Sequence, residues 1–142
     1  MESKSLVPFF IVLGLFLLFD LPVILYLNNP MYQTQFKRIN KTEISLGSRA
    51  YLSAAFTYVL LALGIYVFIV RPELANFKPN YITILTKGLL LGLVVYGVYN
   101  GTNMATIKDW GLKEFIVDTA WGTVLSGTLA ISSIYLIKKF GF

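Results

Sequence analysis

Residues Gly88–Thr106 read GLLLGLVVYGVYNGTNMAT. The first part is apolar, yet Asn100, Thr102 and Asn103 all precede the next lysine, Lys108. An apolar run either continues as helix or ends in a charged loop. This one does neither at once. Read outward from Ile82 to Thr106, it is long enough to cross a hydrocarbon core of about 30 Å, which takes roughly 20 residues. Its last turns then place amides and a hydroxyl inside lipid.

Three further segments have the same character. They run at about 6–27, 50–70 and 115–137. With 82–106 they predict an all-α, polytopic four-helix bundle as a single domain over residues 1–142. Lipid leaves the backbone no outside partner, so each span must be helical. The 50–70 segment contains no charge and is expected to stop at Arg71-Pro72. The first segment is too long for a signal-peptide core and is expected to stay in the protein. A ten-residue alternation of the membrane-barrel kind is missing.

Composition agrees. The chain has 142 residues, 56% hydrophobic and 13% charged, against about 25% charged in soluble domains. Mean hydropathy is +0.70. The net charge of +5 is spread along the chain, which suits flanks of spans better than a nucleic-acid patch. Cys and His are both absent. Disulfides, thiolate or imidazole metal sites and Cys/His catalytic pairs are thereby excluded. No cofactor motif is present, and two carboxylates alone make a weak case for an enzyme.

The long first connection contains NNPMYQTQFKRINK (28–41). Asn29 suits an N-cap and Pro30 the first helical position. Tyr32, Phe36 and Ile39 share one face, with Lys37, Arg38 and Lys41 elsewhere. The pattern predicts a short helix at the headgroup level, with Tyr32, Lys37, Arg38 and Lys41 meeting headgroups or a partner. Four spans put both termini on one side. Lys4, Arg71, Lys78, Lys87, Lys138 and Lys139 lie on that side. Lys37, Arg38, Lys41, Arg49, Lys108 and Lys113 lie on the other, so the charge rule does not orient the chain. Asn40 and Asn100 open glycosylation sequons, and Asn100 lies too close to the bilayer for use.

The polar groups fall in one layer. At 1.5 Å per residue, Asp20 lies roughly 21 Å beyond Leu6 and Asn100 roughly 20 Å beyond Lys87. Asp118 lies about 6 Å inward from Glu114 on the opposite side. In a core of about 30 Å these depths nearly coincide. Asp20, Asn100, Thr102, Asn103, Asp118 and Trp121 therefore form the expected intramembrane layer. Tyr96 or Tyr99 are further donors, and Pro22 is expected to distort the first helix. Such a layer either binds a proton, cation or polar solute or holds helices together. A bundle of this size encloses little volume, so transport would call for a homo-oligomer. Gly88 with Gly92, Gly97 with Gly101, and Gly122 with Ser126 are small-residue pairs that allow close helix approach. Trp110 reads as an interfacial anchor.

The segment LLLGLVVYGVYNGTNMATIKDWGLKEFIVDTAWGTVLSG (89–127) resembles the signature of the membrane proteins called the domain of unknown function 2177 family. The matching positions are Tyr99, Thr102, Asn103, Ala105, Thr106, Trp110, Asp118, Trp121 and Gly122, with Asp20 in the first span. Asn100 stands where the family usually has aspartate, and Gly101 where a larger apolar residue is usual. The resemblance implies the four-span plan and no mechanism. DLPVILYLNNPMYQTQFKRIN (20–40) is more similar to members from large DNA viruses than to bacterial ones. That likeness implies a structural protein of a virion inner membrane contacting minor capsid proteins. The alternative is a small oligomeric proton- or cation-linked transporter or channel.

Overall fold

A computed structural model describes residues 6–41 and 47–141. Lys4 of the charge tally and Thr42 of the Asn40 sequon lie outside the described residues. The described residues form five helices: α1 (Val7–Leu27), α2 (Asn29–Asn40), α3 (Ser48–Leu74), α4 (Tyr81–Thr106) and α5 (Leu112–Phe140). All but α2 are long and apolar enough to cross a membrane. The described residues contain no strand.

Proline shapes two of the spans. Pro22 has no N–H to give the carbonyl four residues back, and the next turn, Val23–Leu27, winds as a π-helix. α3 does not stop at Arg71-Pro72 as expected. It passes through a π-helical turn, Tyr66–Val70, and adds a last turn, Arg71–Leu74. The wide turn lets the helix carry Pro72 without a break. α2 follows α1 almost without interruption. Asn28 keeps helical backbone angles and gives its N–H to Val23 O at 2.8 Å. Asn29 is thus the first helical residue and not the N-cap. α4 starts where Asn80 accepts from the N–H groups of Ile82 and Thr83, both at 3.1 Å.

α5 is the central helix. Half of its most apolar window is buried, against 17–22% for the other spans. Leu125, Leu129, Ala130, Ile134 and Ile137 meet Val12 and Phe16 of α1, Ile65, Ile69 and Val70 of α3, and Ile84 of α4 in one core. α4 and α5 pack as a close pair. A Cβ on Gly88 would stand 2.7 Å from Gly127 Cα, and one on Gly92 would stand 2.5 Å from Gly122 O. The Gly88/Gly92 and Gly122/Ser126 pairs are therefore true contact faces. Gly97 and Gly101 are not: a Cβ there meets only Thr119 at 3.8 Å or Phe115 at 4.0 Å.

The two ends of the bundle are fastened differently. At the Lys138 end, Glu73 accepts from Lys87 Nζ at 2.8 Å and from Asn76 Nδ2 at 2.6 Å. Lys138 Nζ caps the Asn76 carbonyl. At the α2 end, α3 meets the rest of the protein sparsely. From Ser48 to Thr57 only Ala50 is even partly buried, and α3 reaches α4 mainly through its π-helical turn. A cleft is left between them.

Candidate functional site: an intramembrane carboxylate layer

Asp20, late in α1, is 5% exposed. Its Oδ2 accepts from the Tyr58 hydroxyl at 2.6 Å and its Oδ1 from the Trp121 indole N–H at 2.8 Å. Asp118, nearly two turns into α5, is half-buried. Its Oδ1 accepts from the Tyr32 hydroxyl at 2.6 Å and its Oδ2 from Asn100 Nδ2 at 2.7 Å. The same Asn100 amide also donates to Tyr96 O at 3.1 Å. Each donor is neutral. Burial, and then the hydrogen bond to Asp118, push the Tyr32 hydroxyl well above the usual phenol range, so it stays a donor.

Local helix geometry puts these groups together. On α5, Glu114, Asp118 and Trp121 recur at i, i+4 and i+7 and form one stripe. Gly122, beside Trp121, leaves space for the Tyr96 ring, which a Cβ would strike. One turn nearer the bundle end, Glu114 is 6% exposed and accepts from Arg38 at 3.2 Å. α2 is thereby tied to α5 twice, through Tyr32 and Arg38.

The layer gathers Asp20, Asn100, Asp118 and Trp121 of the expected set. Thr102 and Asn103 do not join it. Two residues along a helix is a rotation of about 200°, so Thr102 turns outward when Asn100 turns in, and it is exposed. Asn103, three residues on from Asn100, is half-buried and gives no hydrogen bond to either carboxylate. Asn100 is 1% exposed with its amide engaged, which agrees with its sequon being unusable in the folded chain. Tyr32 was placed at the headgroup contact but points inward to Asp118, and Arg38 is committed to Glu114. Lys37 and Lys41 remain on the exposed face.

Two donors were missed. Tyr58 sits in an otherwise apolar span, where tyrosine reads as core or interface. Tyr32 reaches the layer only because α2 folds back. Trp110, expected as an anchor, is half-buried and packs edge-on against Tyr99 with centroids 6.0 Å apart.

The layer borders open space. Asp20 and Asp118 both line a crevice of about 320 Å³ between α3 and α4. Nearer α2 lies a cavity of about 590 Å³, and Ala54, Thr57, Tyr99 and Asp118 line both. No described lining residue of either is basic.

Four apolar spans with a shared polar layer define a polytopic helical membrane protein. The chain belongs to the family described as predicted membrane protein (DUF2177), whose model matches residues 5–135 and so takes in α1 to α4, most of α5 and every group of the layer. No curated protein and no solved structure matches it.

Proposed function

We propose that this is a non-catalytic membrane protein whose polar layer locks it into one body, so that it serves as an anchor or structural component of its membrane. One observation carries the reading. The four oxygens of Asp20 and Asp118 take one donor each, and those donors come from α2, α3, α4 and α5. Every helix therefore contributes to the layer. Hydrogen bonds between spans hold bundles together. A carboxylate accepts from two sides at once, which suits a hub.

On this reading the exposed lysines of α2, Lys37 and Lys41, meet headgroups or another membrane or capsid protein. The likeness of 20–40 to viral members makes the inner membrane of a virion the first setting to examine. Reversing both charges, while leaving Arg38 in place, should abolish co-purification of a partner in mild detergent without lowering the melting temperature. A partner that stays bound to the reversed variant overturns the docking reading.

The crevice favours a second reading, proton- or cation-linked transport, because two carboxylates border it without a basic neighbour. Protein in liposomes should then show a flux that Asp118→Asn abolishes. Unchanged flux in that variant removes transport through the layer.

A further inference from the structure

Gln35 is 2% exposed, yet its Oε1 has no partner. The Trp110 Nε1 is likewise buried and unpartnered. Both line the 590 Å³ cavity beneath α2. Buried polar groups are nearly always satisfied, so an acceptor and a donor left open on one cavity describe a ligand with both an N–H and an oxygen.

The rest of the lining narrows the chemistry. Asp118 and Glu114 put two carboxylates on the wall, one Glu114 oxygen being paired with Arg38, and none of the described lining residues is basic. An anionic headgroup is disfavoured. Tyr32, Phe36, Tyr99 and Trp110 surround the space with aromatic faces, which attract an ammonium. Gln35 needs an N–H, so a quaternary ammonium would leave it unanswered. The cavity also runs on, past Ala54 and Thr57, into the crevice lined by Leu61 and Val95. That continuation is mostly apolar, with Asp20, Tyr58 and Asp118 on its inner wall, and it opens between α3 and α4, where α3 is exposed.

We infer that the cavity holds the headgroup of an aminolipid of the phosphatidylethanolamine kind. Its primary ammonium answers Gln35 and the two carboxylates, an ester or phosphate oxygen accepts from Trp110, and one acyl chain follows the crevice between α3 and α4. The lipid supplies the positive charge that the layer lacks and fills the gap between two helices that otherwise touch little.

The test is native mass spectrometry of the whole chain, exchanged in mild detergent with equal amounts of phosphatidylethanolamine, phosphatidylcholine and phosphatidylglycerol of the same acyl chains. The ethanolamine lipid should be retained about tenfold over either competitor, the scale of one charge-assisted hydrogen bond. Gln35→Met and Trp110→Phe should each lower that retention by about tenfold. Gln35→Met should also raise the melting temperature in lipid-free detergent, because it removes an unanswered acceptor. Equal retention of the three lipids overturns the assignment, as does unchanged retention by both variants. A Gln35→Met protein that melts lower without lipid also overturns it, since Gln35 is then satisfied within the protein. Displacement of the lipid by millimolar free ethanolamine shows a site for soluble amines and overturns the lipid.

Discussion

Trp121 and Asp20 lie 101 positions apart in the chain and meet at 2.8 Å, indole N–H to carboxylate, across α5 and α1. The contact joins the helix that enters first to the one that sits at the centre. On its other oxygen Asp20 takes the Tyr58 hydroxyl from α3. One carboxylate thus fixes three helices at one depth.

Trp121→Phe keeps a ring and removes the N–H, and Tyr58→Phe removes only the hydroxyl. Hydrogen bonds between spans average about 0.6 kcal/mol and reach about 1.7. Each variant should lose about 1 kcal/mol in a reversible unfolding assay in detergent or bicelles. The pair should not be additive, because the second loss leaves Asp20 with no donor. A double variant costing only the sum of the two would show that the donors act independently and that Asp20 is no hub.

The glycines should separate by position. Gly92→Ala forces a methyl to within 2.5 Å of Gly122 O and 2.7 Å of Ser126 Oγ. Overpacking of that kind costs about 1–3 kcal/mol, and the α4–α5 pair should move apart. Gly97→Ala meets its nearest neighbour at an ordinary 3.8 Å, and at Gly14 and Gly64 nothing lies within 4 Å. Those three substitutions should be neutral or stabilise slightly, since Ala is the better helix former. Melting temperatures of the four variants check the ranking.

The contrast between Gly92 and Gly97 shows what was legible in the sequence. Spans could be read because lipid demands long apolar runs. The shared depth of Asp20, Asn100 and Asp118 followed from helical rise alone. Rotation was the missing coordinate. It separates Thr102 from Asn100 and Gly97 from Gly92, and only packing against α5 sets it. Tyr58 and Tyr32 gave no signal, because a tyrosine hydroxyl declares its partner only once another helix is in place. The helical turn after Pro72 was hidden for a related reason. It is held by Glu73 reaching Lys87 on α4, a contact made after the chain has turned back.

Asn100→Asp installs the residue usual in this family and should destabilise this member. It replaces the donor 2.7 Å from Asp118 with a second acceptor. Removing one of the two donors of Asp118 and facing it with a second acceptor costs about 1–3 kcal/mol. The loss should be full at pH 8 and shrink as the pH falls, because a protonated carboxyl can donate where the amide did. A pH series of unfolding midpoints tests this. A variant equally stable at pH 8 and pH 5 would mean that a cation already compensates Asp118.

The clamp at the Lys138 end should matter less. Lys87 is 45% exposed where it meets Glu73, and pairs of that exposure contribute about 0–1 kcal/mol. Lys87→Met should therefore barely shift the melting temperature. It should instead speed proteolysis in the connection between α3 and α4, where Asn76 is held by both Glu73 and Lys138.

Tyr32→Phe isolates the attachment of α2. The hydroxyl it removes is donated to Asp118 at 2.6 Å, and the Arg38–Glu114 pair then remains as a tie between α2 and α5. That pair is 42% exposed on the arginine side and is worth little by itself. α2 should open locally without global unfolding, which amide exchange reads directly. Exchange across Asn29–Asn40 should accelerate by about tenfold, the equivalent of about 1.4 kcal/mol, while the α4–α5 pair keeps its protection. Tyr58→Phe serves as the control, since it weakens the same layer but leaves both ties of α2 intact. If the two variants expose α2 equally, the layer loosens as one unit and Tyr32 has no separate part in holding α2 down.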